Sequence, residues 1–331
     1  MKSSTIFLQI LDLLKVDLEK LEEFLVANYK SDVALIPEIS KHLNEGGGKR
    51  LRPVFLMMCS KLCGYEPDAM ENHIRYSCVV EFIHAATLLH DDVIDFADSR
   101  RGSVSANVKW GNEASILVGD FLFSKSFHLV ALEANPKVIK TVSKATMDLA
   151  EGEVKELMLL RNVQVSEEDY LDVITRKTAS LMGASCKIGA ILGNSSDEAA
   201  SELFSYGTNI GIAFQLMDDI FDITAEQTLL GKPVGNDLKE GNITMPLIYT
   251  YGVVGDVEKK KIEEIVTSQV IEKADIEWIS ALVKERGGIN YTLEKAKIFV
   301  EKAKRNLHPF MSSEHYEMMN SLADHIINRE F

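Results

Sequence analysis

Proline is scarce in this chain, with 7 among 331 residues and none between Pro136 and Pro233 or between Pro246 and Pro309. Proline breaks helices, so these stretches leave room for long ones. Asn-Gly or Asp-Gly turns between alternating apolar and polar runs, the mark of antiparallel hairpins, are missing, which argues against a sheet protein. Cysteine is scarce as well. Cys59, Cys63, Cys78 and Cys186 lack the paired CxxC spacing of a structural zinc site or a thioredoxin-like redox centre. Cys59 and Cys63 stand one helical turn apart among apolar neighbours, so buried free thiols are expected, with the cytoplasm as default compartment. Positive charge is in deficit, Lys+Arg 36 against Asp+Glu 50 for a net charge of -14. That balance excludes broad attraction to nucleic acid, whose backbone is bound through clustered Lys and Arg. Long apolar runs are missing too. Gln9, Asp12, Lys15 and Asp17 interrupt the apolar N-terminus with helical period, so no signal-peptide core is read there, and no transmembrane segment is expected elsewhere.

What is present is a folded composition, 46% hydrophobic and 26% charged, with apolar residues at three-and-four spacing throughout. The fold class is all-α. Breaks fall near Glu45 to Gly48, Gly64 to Pro67, Ser99 to Ser105, Asn135 to Pro136, Gly193 to Asp197, Gly231 to Gly241, Gly252 to Asp256 and Arg286 to Gly288, which implies about ten or more helices. With no repeat, linker or change of composition, residues 1–331 read as a single large helical bundle.

Two segments set acids on apolar helices. Asp91, Asp92 and Asp95 lie within Val79 to Phe96, and Asp218, Asp219 and Asp222 within Ile210 to Ile223. Each reads Asp-Asp-x-x-Asp, so the first and last carboxylates stack on one helix face and the middle one turns to the side. A solvated acidic face accounts for one such motif. Two, flanked by Leu88, Leu89, Phe214 and Phe221, point to carboxylates whose desolvation and mutual repulsion are offset by Mg²⁺. Carboxylate-held Mg²⁺ keeps coordination positions open for phosphate oxygens. Matching cations are present: Lys49, Arg50 and Arg52 on a glycine turn at a helix start, Arg100 and Arg101 after the first motif, Lys177 with Thr178, and Lys232 after the second motif. The turn is not a Walker loop, since Arg50 follows Lys49 where Ser or Thr is required. The ligand expected is a diphosphate.

In order and combination, GGGKRLRP from Gly46, EFIHAATLLHDDVID from Glu81, SRRG from Ser99, GNEASILVGDFLFSKSF from Gly111, KTASL from Lys177 and FQLMDDIFD from Phe214 resemble the trans-isoprenyl diphosphate synthases, above all the long-chain bacterial polyprenyl members of octaprenyl type. The likeness spans nearly the whole chain. It implies a helical bundle around a central cavity and a homodimer, with Lys49, Arg52, His84 and Arg101 holding isopentenyl diphosphate. It places Arg100, Lys177, Thr178, Gln215 and Lys232 around an allylic diphosphate such as farnesyl diphosphate, with Lys177, Thr178 and Gln215 as the catalytic set. Asp91, Asp95 and Asp218 would hold a cluster of two or three Mg²⁺ ions, with Asp92, Asp219 and Asp222 matched as well. Asn242 stands where the family usually has Lys, which implies a weaker diphosphate contact there.

The reaction implied is ionisation of the allylic diphosphate followed by coupling, repeated along an apolar channel. Small Ala85 and Ala86 stand where short-chain members place bulk, so the channel is expected to be open there. Phe123 and Phe127 are candidates for a deeper floor, which core packing explains equally well. A product longer than C20 is favoured over a farnesyl or geranylgeranyl one. Three other readings compete. A ferritin-like di-iron protein would use Glu81-x-x-His84, but needs a second such pair and further glutamates. A terpene cyclase would not need the Lys49 and Arg52 turn. A non-catalytic partner subunit would not need both aspartate motifs intact.

Overall fold

The computed structural model describes residues 2–45, 47–67, 69–100, 102–224 and 235–328. Helices account for nearly all of its regular structure. In chain order they are α1 (Lys2–Leu13), α2 (Lys15–Asn28), α3 (Leu35–Glu45), α4 (Leu51–Leu62), α5 (Asn72–Ile94), α6 (Ala106–Trp110), α7 (Asn112–Glu133), α8 (Pro136–Leu159), α9 (Glu167–Ile174), α10 (Ser180–Leu192) and α11 (Asp197–Thr224). After these come α12 (Asn236–Glu240), α13 (Met245–Val253), α14 (Asp256–Thr267), α15 (Lys273–Glu285), α16 (Gly288–Asn306) and α17 (Tyr316–Asn328). A single π-helical turn, Thr175–Ala179, joins α9 to α10.

Every break expected within the described residues is there, and further ones separate helices at Leu14, 29–34, Gly111, 160–166, 268–272 and 307–315. One of these has a local cause: Ser166 Oγ accepts from the Asp169 backbone N–H at 3.0 Å and so starts α9. One short strand pair interrupts the all-α fold. Ser99–Arg100 pairs antiparallel with Ser103–Val104, Ser99 opposite Val104, as a two-residue ribbon inside an expected loop. Gly102, at φ +78°, supplies the tight turn that the ribbon needs.

α11 packs lengthwise against α10 and α16, α10 against α4, and α5 against α7. Close approach of α10 and α4 requires glycine at Gly189, where a Cβ would stand 2.4 Å from the Leu56 carbonyl oxygen. The main core runs through these helices, with Phe55, Met57, Tyr76, Phe82 and Tyr206 fully buried. A second apolar cluster, including Val163, Leu238, Ile262, Ile276 and Val283, gathers α12, α14 and α15 near the C-terminal end of α11. α7, at 22 residues, has the length and apolar composition of a membrane-crossing helix. It packs instead within the bundle, against α5, α3, α6 and α8.

Candidate active site

Both acidic motifs open on one cavity of about 980 Å³, whose wall includes Asp91 from α5 and Asp218 and Asp222 from α11. α5 carries Asp91 and Asp92 in its last turn and stops there: the Asp95 N–H donates to the Asp91 carbonyl at 2.8 Å, and Phe96 takes φ +52°, a left-handed residue that ends a helix. Asp95 therefore caps α5 and faces a smaller adjoining cavity of about 160 Å³. Asp222 has a second role. Its carboxylate accepts from the Asn236 N–H at 3.0 Å and the Asp237 N–H at 3.4 Å, tying the end of α11 to the start of α12.

The middle aspartates behave differently from the outer ones. Asp92 and Asp219 are each 1% exposed, and neither lines the main cavity. Arg100 Nε donates to Asp92 Oδ1 at 2.7 Å. Asp219 accepts from Gln215 Nε2 at 3.0 Å and from the Tyr170 hydroxyl. Burial pushes the carboxyl of Asp219 up to about 7; the bonds from Tyr170 and Gln215 act against this, and the charges of Asp218 and Asp222 add to it. Burial likewise raises Asp91 to about 7, with Lys177 opposing and Glu153 and Asp95 adding their repulsion.

Lys49, Arg52, His84 and Arg100 line the main cavity, together with Lys177, Thr178 and Gln215. Arg101 and Lys232 lie outside the described residues. Arg50 sits in the left-handed region at φ +47°. It donates to Glu22 Oε1 at 2.6 Å and to Glu81 Oε2 at 2.9 Å, and thereby ties the Lys49–Arg52 turn to α2 and α5. Glu81 is thus engaged by an arginine, which removes it from a Glu-x-x-His metal pair.

Two acids on α8 were not singled out in the sequence. Glu153 Oε1 accepts from Lys177 Nζ at 3.0 Å and Glu156 accepts from the same ammonium. Burial opposes the charge on Lys177, but Glu156, Asp91 and Glu153 together hold it well above the ordinary lysine range. Gly152 was the available signal. A Cβ there would lie 2.7 Å from the Lys177 backbone nitrogen, so only glycine lets α8 come this close to the π-helical turn. Such turns recur at functional sites.

Two placements differ from the chain-length expectation. Ala85 lines the main cavity, whereas Ala86 is fully buried in the core outside its lining, because neighbouring residues on α5 point about 100° apart. Phe123 lines the cavity, but Phe127, one helical turn on, is 40% exposed on α7. Asn242 lines the smaller cavity with Lys177 and Asp219.

The donor set suits a hard divalent ion that is shared with a ligand. Among the described residues no three His, Cys, Asp or Glu side chains converge to hold an ion by themselves. Asp92 Oδ2 is buried without a hydrogen-bond partner among those residues. Carboxylates spread around one cavity, each offering a partial shell, match the way Mg²⁺ binds through one or two carboxylates plus phosphate oxygens.

A polyprenyl synthetase family profile matches residues 33–283. The chain is 36% identical over 315 residues to the octaprenyl diphosphate synthase of Haemophilus influenzae, covering 95% of this chain and 94% of that one. To the octaprenyl diphosphate synthase of Escherichia coli it is 34% identical over 322 residues, covering 97% and 98%. A polyprenyl synthase from Caulobacter crescentus, crystallised with calcium and isoprenyl diphosphate, superposes with a TM-score of 0.94 at 34% identity, over 98% of each chain. Likeness of this extent, in sequence and in three dimensions, covers both aspartate motifs and the helices that carry them. The chain belongs to the polyprenyl synthetase family of prenyltransferases.

Proposed function

We propose that this protein is an all-trans polyprenyl diphosphate synthase, which adds isopentenyl diphosphate head-to-tail and repeatedly onto an allylic diphosphate such as farnesyl diphosphate. The product is long and octaprenyl-like, of the kind used as a quinone side chain. One observation carries the reading: Asp91 and Asp218, from separate helices, share a single cavity with Lys49, Arg52 and Lys177 and with an apolar wall that includes Ala85, Leu88, Phe123 and Leu181.

Asp91, Asp95 and Asp218, with Asp222 beside them, are the residues to hold Mg²⁺. Bound there, two or three ions would neutralise charge on the allylic diphosphate as it departs. Lys177 and Arg100 bind that same diphosphate, and Arg101 and Lys232 belong to the expected set. Lys49, Arg52 and His84 hold isopentenyl diphosphate with its double bond toward the allylic carbon, and this fixed geometry supplies much of the rate. Thr178 and Gln215 offer oxygen atoms to the positive allylic fragment. The departing diphosphate takes the final proton, so no Ser or Cys nucleophile is required. The apolar wall excludes water, which would otherwise capture the cation.

The whole chain serves as one synthase domain. Four free cysteines support a reducing, cytoplasmic setting. Exposed apolar side chains along α7, notably Leu117, Phe127 and Leu132, support a homodimer formed on that helix. The test is incubation of the purified chain with Mg²⁺, farnesyl diphosphate and labelled isopentenyl diphosphate, then sizing of the lipid product. Products longer than C20 support the reading; a C20 endpoint makes it a short-chain synthase, and no incorporation rejects it.

A further inference from the structure

Lys177, Thr178 and Gln215 form a wall between the main cavity and the smaller one, and Tyr170 and Asp219 line only the smaller one. Four of these side chains are joined across the wall in an unbroken line. The Tyr170 hydroxyl, buried, donates to Asp219 Oδ2. Gln215 Nε2 donates to Asp219 Oδ1 at 3.0 Å. Thr178 Oγ1 donates to Gln215 Oε1 at 3.1 Å. In this line Gln215 turns its NH₂ toward Asp219 and its carbonyl oxygen toward Thr178. The reverse orientation would set an amide oxygen against a buried carboxylate. Tyr170 occupies the second oxygen of Asp219 and so keeps that carboxylate from rotating away.

We infer that Tyr170 and Asp219 are positioning residues, which lock the Gln215 amide so that acceptor oxygens, Gln215 Oε1 and Thr178 Oγ1, rather than an NH₂ group, border the site where positive charge develops on the allylic fragment. This rests on the proposed prenyl coupling. The physical reason is that a cation is stabilised by oxygen dipoles already in place, which need no reorganisation as the charge appears. An amide presenting N–H at the same position would raise the barrier. Tyr170 acts only through Asp219, since it lies on the far side of the wall.

The test compares wild type, Tyr170→Phe, Gln215→Ala and the double variant in a single condensation of farnesyl and isopentenyl diphosphates. Tyr170→Phe is expected to slow that step about tenfold, and to have no further effect once residue 215 is Ala. Its affinity for farnesyl thiolodiphosphate, which binds but ionises poorly, should be unchanged. Additive losses in the double variant, or a loss of analogue affinity equal to the loss of rate, overturn the inference. A second readout does not depend on turnover. In protein carrying ¹⁵N-glutamine, the Gln215 side-chain amide should exchange with solvent about tenfold faster in Tyr170→Phe than in wild type; equal exchange overturns the relay. A wild type that makes no product rejects the proposed function, while the exchange measurement still decides the relay.

Discussion

Lys177 Nζ stands 3.0 Å from Glu153 Oε1, and Glu156 grips the same ammonium, so the lysine on the π-helical turn is compensated by two α8 carboxylates when no diphosphate is present. A cation meant for a diphosphate cannot wait unpaired in a recessed site, because desolvation would drive off its proton. The same carboxylates face the cavity side of α8, where ions accompanying a diphosphate would arrive. Ligand binding therefore exchanges partners: the ammonium passes to phosphate oxygens, and the acids are left to cations.

That exchange makes Lys177→Ala informative about stability as well as turnover. Removing the lysine leaves Glu153, Glu156 and Asp91 close together without their shared counter-charge. Deleting one partner of a partly exposed, hydrogen-bonded ion pair costs about 1–3 kcal/mol, and a few degrees in thermal midpoint are expected to be lost. Mg²⁺ should restore more of the midpoint in the variant than it adds to wild type, since the uncompensated acids bind it better. Thermal unfolding with and without Mg²⁺ measures this, and equal metal-induced shifts in the two proteins would contradict the pairing.

The pH dependence follows from Asp91, which burial raises from an ordinary value of 3.8 to about 7. Between those two values the folded metal-free protein binds more protons at this group than the unfolded chain does. Its stability contribution is therefore lost as pH rises from about 4 to about 7, the reverse of the usual carboxylate case. Metal binding runs the other way, because a hard cation needs the ionised carboxylate. Mg²⁺ affinity should rise from pH 6 to pH 8, with protons released on binding near pH 7. Calorimetry in two buffers of different ionisation enthalpy counts those protons. Asp91→Asn should abolish most of the release; a wild type that releases none would show that the carboxylate is already ionised.

The outer and middle aspartates should separate in kinetics. Asp91→Ala and Asp218→Ala remove carboxylates that line the cavity, and are expected to cut turnover by at least about a hundredfold while the circular-dichroism spectrum stays helical. Asp92→Asn leaves the cavity wall intact and loosens Arg100, so its effect should be about tenfold and should fall on KM for the allylic diphosphate rather than on the Mg²⁺ requirement. If Asp92→Asn shifts the Mg²⁺ requirement as strongly as Asp91→Ala does, the middle carboxylate is a metal ligand after all.

Much of this site could be read from residue spacing, and the parts that could not share a cause. Asp-Asp-x-x-Asp puts two carboxylates on one face and the third about 100° away. Periodicity alone does not say that the third would find Arg100 in one motif and Tyr170 in the other. Those partners come from a β-ribbon and from α9, elements joined to the motifs only by tertiary packing. Spacing does not set Glu153 and Glu156 apart from other acids on a helix, and the close approach allowed by Gly152 brings them to Lys177. Ala85 and Ala86 are chemically alike, so nothing short of the packing of α5 against α7 could decide which one meets the cavity.

Ala85 and Ala86 therefore give opposite results when enlarged. Phe at position 85 projects into the channel, where the growing apolar tail must pass, so Ala85→Phe should shorten the product while the rate of the first condensation is largely kept. Phe at position 86 enters a filled core, and overpacking there costs typically about 1–3 kcal/mol. Ala86→Phe is expected to lower the thermal midpoint and to leave product length alone in whatever protein remains folded. Phe127→Ala, altering a side chain on the outer side of α7, should also leave length unchanged. Chromatography of the dephosphorylated products alongside thermal unfolding distinguishes these cases. A product shortened by Ala86→Phe and not by Ala85→Phe would mean that the tail leaves the cavity along the other side of α5, between α5 and its core neighbours.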